Sequence, residues 1–322
     1  MTTVWIIGHI FEGWDNWKEH VQFNLLAKAF LDRKCEVKFV TLDKLKIYEN
    51  SKLICYDDEV FEIPDIMIIK TPIQGNHSEV WKRKLSYLQL QGCLVINSPK
   101  SAIDYDNKVN IYQKAKECGI PIPKTLFIPY THCDNIMLNR IDDEIGWPCI
   151  IKPNRSWFSV GLTVVNSRDE MAAAIKSSHQ SYKENFGSFG VNPTHFIVQE
   201  IVNAECMIAG IAIGPKVYTT IFHGNRVTLR KTTFRNNDDY QKYKFLIVPF
   251  DPPNDLIELI NKVRISFDLD MMRSEFFLTK DGYVFCETNT TTSFGWTTLI
   301  PRINLADEIA EYVIKLYQAT MK

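Results

Sequence analysis

The sequence predicts a parallel α/β layer at the N-terminus followed by two α+β units, and three observations carry that expectation. Over the first hundred residues, short β-rich runs alternate with segments whose apolar residues recur at helical spacing, the pattern of strands joined by right-handed helical crossovers. From residue 194 to residue 290 β-prone runs dominate. The chain then closes on an amphipathic helix, NLADEIAEYVIKLY (304–317), with Ile309, Tyr312, Val313 and Leu316 on its apolar side. The units are expected at 1–98, 99–200 and 201–322, and 322 residues can bury a substantial core across two or three such units.

Element by element, VWIIGH (4–9) and EVKFVTL (36–42) read as strands with the helical HVQFNLLAKAFLDRK (20–34) between them. DIMIIKT (65–71) and CLVINSP (93–99) flank a second helix, SEVWKRKLSYLQLQ (78–91). Strand, helix and strand in this order make the first unit a Rossmann-like layer. In IDYDNKVNIYQKAKECGIPIPKT, Asp104 or Asp106 is expected to cap a helix that Gly119 and Pro121 end. GWPCIIKPN (146–154) reads as a turn into a strand, and GLTVV (161–165) as another strand. SRDE (167–170) is a capping box opening a helix through MAAAIK, and THFIVQEIV (194–202) is strongly β-prone.

The formal net charge is −1 with 23% charged residues, so no sequence-wide basic field attracts nucleic acid or an anionic membrane. Small-molecule or protein substrates fit better. The eight cysteines are scattered without a CxxC pair, which points to free thiols in a reducing compartment. The N-terminal run has no basic start and meets His9 and Glu12 early, and no apolar stretch reaches membrane-spanning length. The expectation is a soluble, cytoplasmic protein.

RSEFFLTKDGYVFCETN (273–289) carries the most specific chemistry. A three-residue loop, Lys280-Asp281-Gly282, with Gly282 in the left-handed position places Glu275 opposite Glu287. Residues two apart on a strand share a face, so Asn289 joins them, while Phe276, Leu278, Val284 and Cys286 form the core face. A two-residue Asp-Gly loop would instead pair Glu275 with Thr288 and separate the acids. Opposed carboxylates repel at a cost of about 0.2–1 kcal/mol. A divalent cation removes that cost, and two carboxylates with an amide oxygen suit Mg²⁺, which completes its octahedron with phosphate and water. Two solvated glutamates on an exposed hairpin is the competing reading.

Two lysines point the same way. Lys152, in CIIKPN, sits on a strand just before a loop, where an ammonium reaches phosphate oxygens. Lys108 begins a helix, where the dipole favours anions, and a phosphate partner would account for a cation there. VQE (198–200) ends a β-run on a polar pair, as in an adenine contact made by backbone plus one side chain. Each lysine taken singly also reads as a surface residue.

Together these segments resemble the ATP-grasp superfamily, and within it the RimK-like carboxylate–amine ligases of the alpha-L-glutamate type. VINSPKSAIDYDNKVNIYQKAKECGIPIPKT, IIKP, FIVQE, RSEFFLTKDGYVFCETN and INLADEIAEYVIKL occur in family order. The resemblance implies a pre-ATP-grasp domain at 1–98, a central lid domain at 99–200 and a C-terminal domain with the metal site at 201–322. It implies that Lys108, Lys152 and Ser156 approach nucleotide phosphates, that Gln199 and Glu200 line the adenine pocket, and that Glu275, Glu287 and Asn289 hold Mg²⁺, or Mn²⁺ in its place. FRNN (234–237) is similar to a family Phe-Arg-x-Asn segment, which implies that Arg235 and Asn237 face the reacting groups. A surface arginine among charges is the alternative for Arg235.

Three departures from the family pattern stand out. The loop NRSWFSVG after Lys152 offers Gly161, Ser156 and Ser159 where relatives often have a glycine-rich turn, with Trp157 and Phe158 at its tip as a cover. Glu275 stands where aspartate is common. The segment NDDYQKYKFLIVPFDPP looks like the ATP-grasp ligases that crosslink ribosomally made peptides, and Ala209 stands where a family arginine is sought. Thr290 to Thr292, Ser293 and Gly295 read as hydroxyl donors and a close backbone approach beside the metal, or as a polar loop capped by Trp296. The resemblance implies an ATP-dependent ligase that joins a carboxylate to an amine through an acyl phosphate, on an amino acid or peptide. The alternatives are a peptide macrocyclase, a small-molecule kinase using the same metal site, and a non-catalytic nucleotide-binding module.

Overall fold

The computed structural model describes residues 1–8, 17–48, 51–70, 78–129, 133–156, 160–186, 194–223, 246–291 and 304–321. The chain begins with β1 (Thr3–Gly8), α1 (Trp17–Leu31) and β2 (Glu36–Thr41). A small meander follows, β3 (Leu45–Ile47), β4 (Leu53–Tyr56) and β5 (Glu59–Glu62), before β6 (Ile66–Ile69), α2 (Ser78–Leu90) and β7 (Leu94–Ile96). The main sheet has the order β2-β1-β6-β7 and every neighbouring pair is parallel. Val4 to Ile7 and Ile66 to Ile69 are buried throughout, because helices or the meander cover both faces of a parallel sheet. That double burial is why the two strands read as unbroken apolar runs.

The antiparallel meander has no counterpart in the sequence reading. Its β4–β5 turn uses Asp57 and Asp58, both at positive φ, so it lacks the glycine that usually marks such a hairpin. Phe61 packs edge-on against Trp5, ring centroids 5.4 Å apart, and the Lys38 ammonium lies 3.4 Å from the Phe61 ring centre.

The middle of the chain supplies α3 (Pro99–Asp104), α4 (Lys108–Glu117), β8 (Thr125–Pro129), α5 (Asn135–Glu144), β9 (Cys149–Pro153), β10 (Thr163–Val165), α6 (Met171–Phe186) and β11 (His195–Glu200). Two capping expectations are corrected. Asp104 ends α3 and takes the Lys82 ammonium at 2.6 Å, and it is Asn107 that caps α4 by accepting from the Val109 amide at 3.0 Å. Ser167 makes no side-chain cap. The Glu170 carboxylate does reach back, to the Asn166 amide at 2.9 Å, and a single 3₁₀ turn, Arg168–Glu170, precedes α6. The sheet order is β10-β9-β11-β8, antiparallel throughout, with α5 and α6 contributing Ile141 and Met171 to its core.

The last part supplies β12 (Cys206–Ile213), β13 (Lys216–His223), β14 (Leu246–Phe250), α7 (Asn254–Ser266), β15 (Met271–Thr279), β16 (Gly282–Asn289) and α8 (Leu305–Thr320). Its antiparallel sheet has the order β14-β13-β12-β15-β16. One face packs on α7 and also on α4, whose Ile111 and Ala115 share a core with Ile208, Ile260, Phe276 and Phe285. The other face carries Glu275, which pairs with Glu287 on the neighbouring strand. Helix α8 joins the ends of the molecule, its Ile309 and Val313 fully buried beside Val4, Ile68 and Ile211.

The eight cysteines are all free. Burial pushes the Cys149 thiol up to about 12 and Cys93 higher still, so these two behave as small core hydrophobes. Among the described residues no helix is long and apolar enough to cross a membrane.

Asp65 closes the first sheet onto α8. Its carboxylate accepts from the Thr3 amide at 2.8 Å and from the Tyr317 hydroxyl at 2.6 Å. Burial pushes this carboxyl up, but the hydrogen bonds from Tyr317 and Thr3 outweigh it and the net position lies below the ordinary 3.8. A depressed carboxyl gives stability that is fully present above its unfolded value and is lost as pH falls through the folded one. Asp65→Asn is therefore expected to be less stable than wild type at pH 7, with the gap closing as the pH is lowered through the carboxylate range. Urea unfolding across that range reads the effect, and a gap independent of pH would contradict it.

Candidate active site

The third sheet carries its acids on one face. Glu275 lies directly opposite Glu287, as the sequence reading requires, but the route differs. The loop holds two residues, Lys280 and Asp281, with Thr279 paired to Gly282, and the register shifts between the Phe276–Phe285 and Glu275–Glu287 pairs. The expected three-residue loop is thus corrected. Gly282, at φ +114°, opens β16, and Cys286 is the extra residue of a β-bulge.

The bulge rearranges the faces of β16. Phe285, in place of Cys286, backs onto Phe276 in the core, ring centroids 5.7 Å apart. Val284 pairs with Phe277 instead of facing the core, and Cys286 joins Met207, Ala209 and Phe277 on the acidic face. Along the sheet, Thr220, Ala209, Glu275 and Glu287 form one cross-strand row. Ala209 therefore puts only a methyl group between the acids and β13. Thr220 Oγ1 is buried in that row with no hydrogen-bond partner among the described residues.

Glu275 is buried, and its Oε1 accepts from Arg273 Nη2 at 2.8 Å. Arg273 stands opposite Asn289 in the next row of the same face. Arg273 escaped the sequence reading, although the two-residue strand period places it beside Glu275. The Lys108 ammonium, from the first turn of α4, donates to the Ser156 carbonyl at 2.5 Å and lies 4.0 Å from Glu287 Oε2. Lys152, on β9, is 7% exposed and donates to the Tyr112 hydroxyl at 2.8 Å. The structure thus brings both lysines, Ser156, both glutamates and Asn289 to one region.

A cavity lies between the central and third sheets. Ile150, Lys152, Leu162 and Val164 line it from one side, Phe277 and Cys286 from the other, and residues 199–202 close its edge. Gln199 donates to the Thr125 hydroxyl at 2.9 Å, and Glu200 accepts from the Lys124 amide at 2.8 Å. The Gln199 amide nitrogen and the Glu200 carboxylate are thus tied to the entry of β8, while Gln199 Oε1 faces the Tyr112 hydroxyl at 3.4 Å.

Thr290 departs from its expected role. Its hydroxyl donates to the Ala102 carbonyl at 3.0 Å, and the next carbonyl, Thr291 O, accepts from the Lys70 ammonium at 3.2 Å. These contacts tie the end of β16 to the first sheet. Arg235 and Asn237 lie outside the described residues, as do Trp157, Phe158, Ser159, Thr292, Ser293, Gly295 and Trp296.

The residues present fit a hard divalent cation. Among the described residues no three His, Cys, Asp or Glu side chains cluster, and the candidate donors are the two carboxylates paired across the hairpin, with the amide of Asn289. That is the oxygen-poor type Mg²⁺ uses when phosphate and water supply its other ligands.

Residues 145–222 match the family model described as ATP-grasp domain. A curated relative, D-alanine–D-alanine ligase of Geobacillus kaustophilus, is 26% identical over 171 residues, covering 51% of this chain and 43% of the relative. The match therefore spans less than half the length of that protein. Among solved structures, the VanG D-Ala:D-Ser ligase of Enterococcus faecalis superposes with a TM-score of 0.73 at 16% identity, covering 98% of this chain and 99% of that one. The RimK domain ATP-grasp protein of Sphaerobacter thermophilus gives 0.66 at 15% identity over 97% and 100%. The chain has the ATP-grasp fold.

Proposed function

We propose, from the ATP-grasp fold this chain carries, that it is an ATP-dependent carboxylate–amine ligase acting on an amino acid or a peptide. The observation that supports the reading most is the Glu275–Glu287 pair, with Lys108 at 4.0 Å from Glu287. Two acids set face to face on a rigid sheet with cations at their edge are built for a metal–phosphate group. In this reading the first sheet is a Rossmann-like layer, and the nucleotide lies between the other two.

The chain's residues divide the work. Ile150, Leu162 and Phe277 sandwich the base while the backbone of 200–202 orients it. Lys108 and Lys152 hold phosphate oxygens, and Arg273 offers a planar guanidinium to the substrate carboxylate. Glu275, Glu287 and Asn289 are the residues that would hold Mg²⁺, and the ion would supply positive charge beside the phosphate groups. A substrate carboxylate oxygen attacks the γ-phosphorus and ADP leaves. The amine nitrogen then attacks the acyl carbon, phosphate leaves, the nitrogen loses a proton, and an amide remains. The chain's part is positioning, charge complementarity and exclusion of water, with no nucleophilic side chain.

Hydroxylamine tests this reading. With ATP, Mg²⁺ and a panel of amino acids and dipeptides, the expected product is a hydroxamate formed in step with ADP. ADP release that needs a hydroxyl acceptor and yields no hydroxamate would mean a kinase. Nucleotide binding without ADP release from any acceptor would mean a binding module.

A further inference from the structure

We infer that Tyr112 is a positioning residue for the phosphate-binding ammonium of Lys152, and that it fixes this ammonium relative to the strand bearing Glu287. The inference rests on the nucleotide reading above and adds a residue to it.

Tyr112 lies one turn after Lys108 on α4, so both side chains leave the same helix face. It is 1% exposed. Its hydroxyl accepts from Lys152 Nζ at 2.8 Å and donates to the Cys286 carbonyl, with Gln199 Oε1 at 3.4 Å. A phenol has one proton and two lone pairs. With the proton committed to the Cys286 carbonyl, a lone pair faces Lys152, so the hydrogen bonds run in one direction from lysine to phenol to backbone. The Lys152 ammonium also sits 4.9 Å from the centre of the Tyr112 ring.

Cys286 is the bulged residue, immediately before Glu287. The same irregularity that sets Glu287 opposite Glu275 therefore presents the carbonyl Tyr112 needs. Lys152 belongs to the central sheet and Cys286 to the third. One hydroxyl on α4 thus links the Lys152 ammonium on the central sheet to the Cys286 backbone on the third, the two residues that line the cavity from opposite sides. The 2.8 Å hydrogen bond to Tyr112 fixes where the Lys152 ammonium stands.

The test is Tyr112→Phe, which keeps the ring and removes the hydroxyl. Dissociation constants for ADP and for adenosine are measured with Mg²⁺ present, by titration calorimetry and by displacement. A hydrogen bond to a charged group corresponds to about a ten- to hundredfold change, so ADP affinity is expected to fall by at least about tenfold. Adenosine, which has no phosphate, should be unaffected within about twofold. A residue that merely packs would weaken both ligands alike. ADP affinity kept within about twofold, equal losses for both ligands, or a Tyr112→Phe chain that does not fold would each overturn the inference. Wild-type protein that binds neither ligand would overturn the nucleotide reading itself, and this inference with it.

Discussion

Glu287→Gln is expected to lower substrate-dependent ADP release by about a hundred- to a thousandfold, the range seen when a single preorganised charge-stabilising group is removed from an active site. Glutamine keeps the length of the side chain and one oxygen donor but removes the charge that balances a divalent cation. The sign of the effect on nucleotide binding should depend on the metal. Lys108 lies 4.0 Å from the Glu287 carboxylate and Arg273 bonds Glu275, so in wild type without metal these cations are partly neutralised by the acids. Taking away one acid leaves a more positive site. Without Mg²⁺ the variant should bind ADP at least as well as wild type, and with saturating Mg²⁺ it should bind less well. Calorimetric titration with and without EDTA reads the crossover, and a coupled assay reads turnover. Undiminished turnover in the variant would remove Glu287 from the metal site and leave the opposed acids as a structural pair.

The parts legible from sequence are those whose information is local. β1 and β6 were readable as buried strands because covering both faces demands a continuous apolar run. α8 was readable because only one stripe of it is buried. The meander was not, since Asp57 and Asp58 take up positive φ without a glycine to mark the turn. The acidic pair shows a subtler case. Glu275 and Glu287 do face each other, but a two-residue loop followed by a bulge does what one three-residue loop was expected to do. The two arrangements differ in which residue faces the core, and Phe285 displaces Cys286 because the larger ring fills the space beside Phe276. The contacts that organise the site join distant parts of the chain: Tyr112 with Lys152, Asn97 with Thr290, Lys70 with Thr291. Periodicity along the chain carries no trace of such pairs.

Asn97→Ala is the second large effect, and it falls on stability. Asn97 follows β7 and is 1% exposed. Its Nδ2 donates to the Met271 carbonyl at 2.7 Å and to the Thr290 carbonyl, while its Oδ1 accepts from the Asp270 and Met271 amides, both at 2.8 Å. One amide side chain thus satisfies four backbone contacts that flank β15 and β16 on the strands bearing Glu275 and Glu287. Alanine would leave those groups buried and unmet, at roughly 1–3 kcal/mol for each and not additively. A total loss of about 3–5 kcal/mol is expected, a large part of the margin of about 5–15 kcal/mol that holds a typical domain folded. Asn97→Asp discriminates further, because a carboxylate still accepts from both amides but sets an anionic oxygen against the two carbonyls, so it should be no better tolerated than alanine. Urea unfolding is the measurement, with the midpoint falling and the slope unchanged. A cost below about 1 kcal/mol in both variants would show that the end of β16 is held by Lys70 and the Thr290 hydroxyl without Asn97, and that the first sheet does not set the position of the acids through this residue.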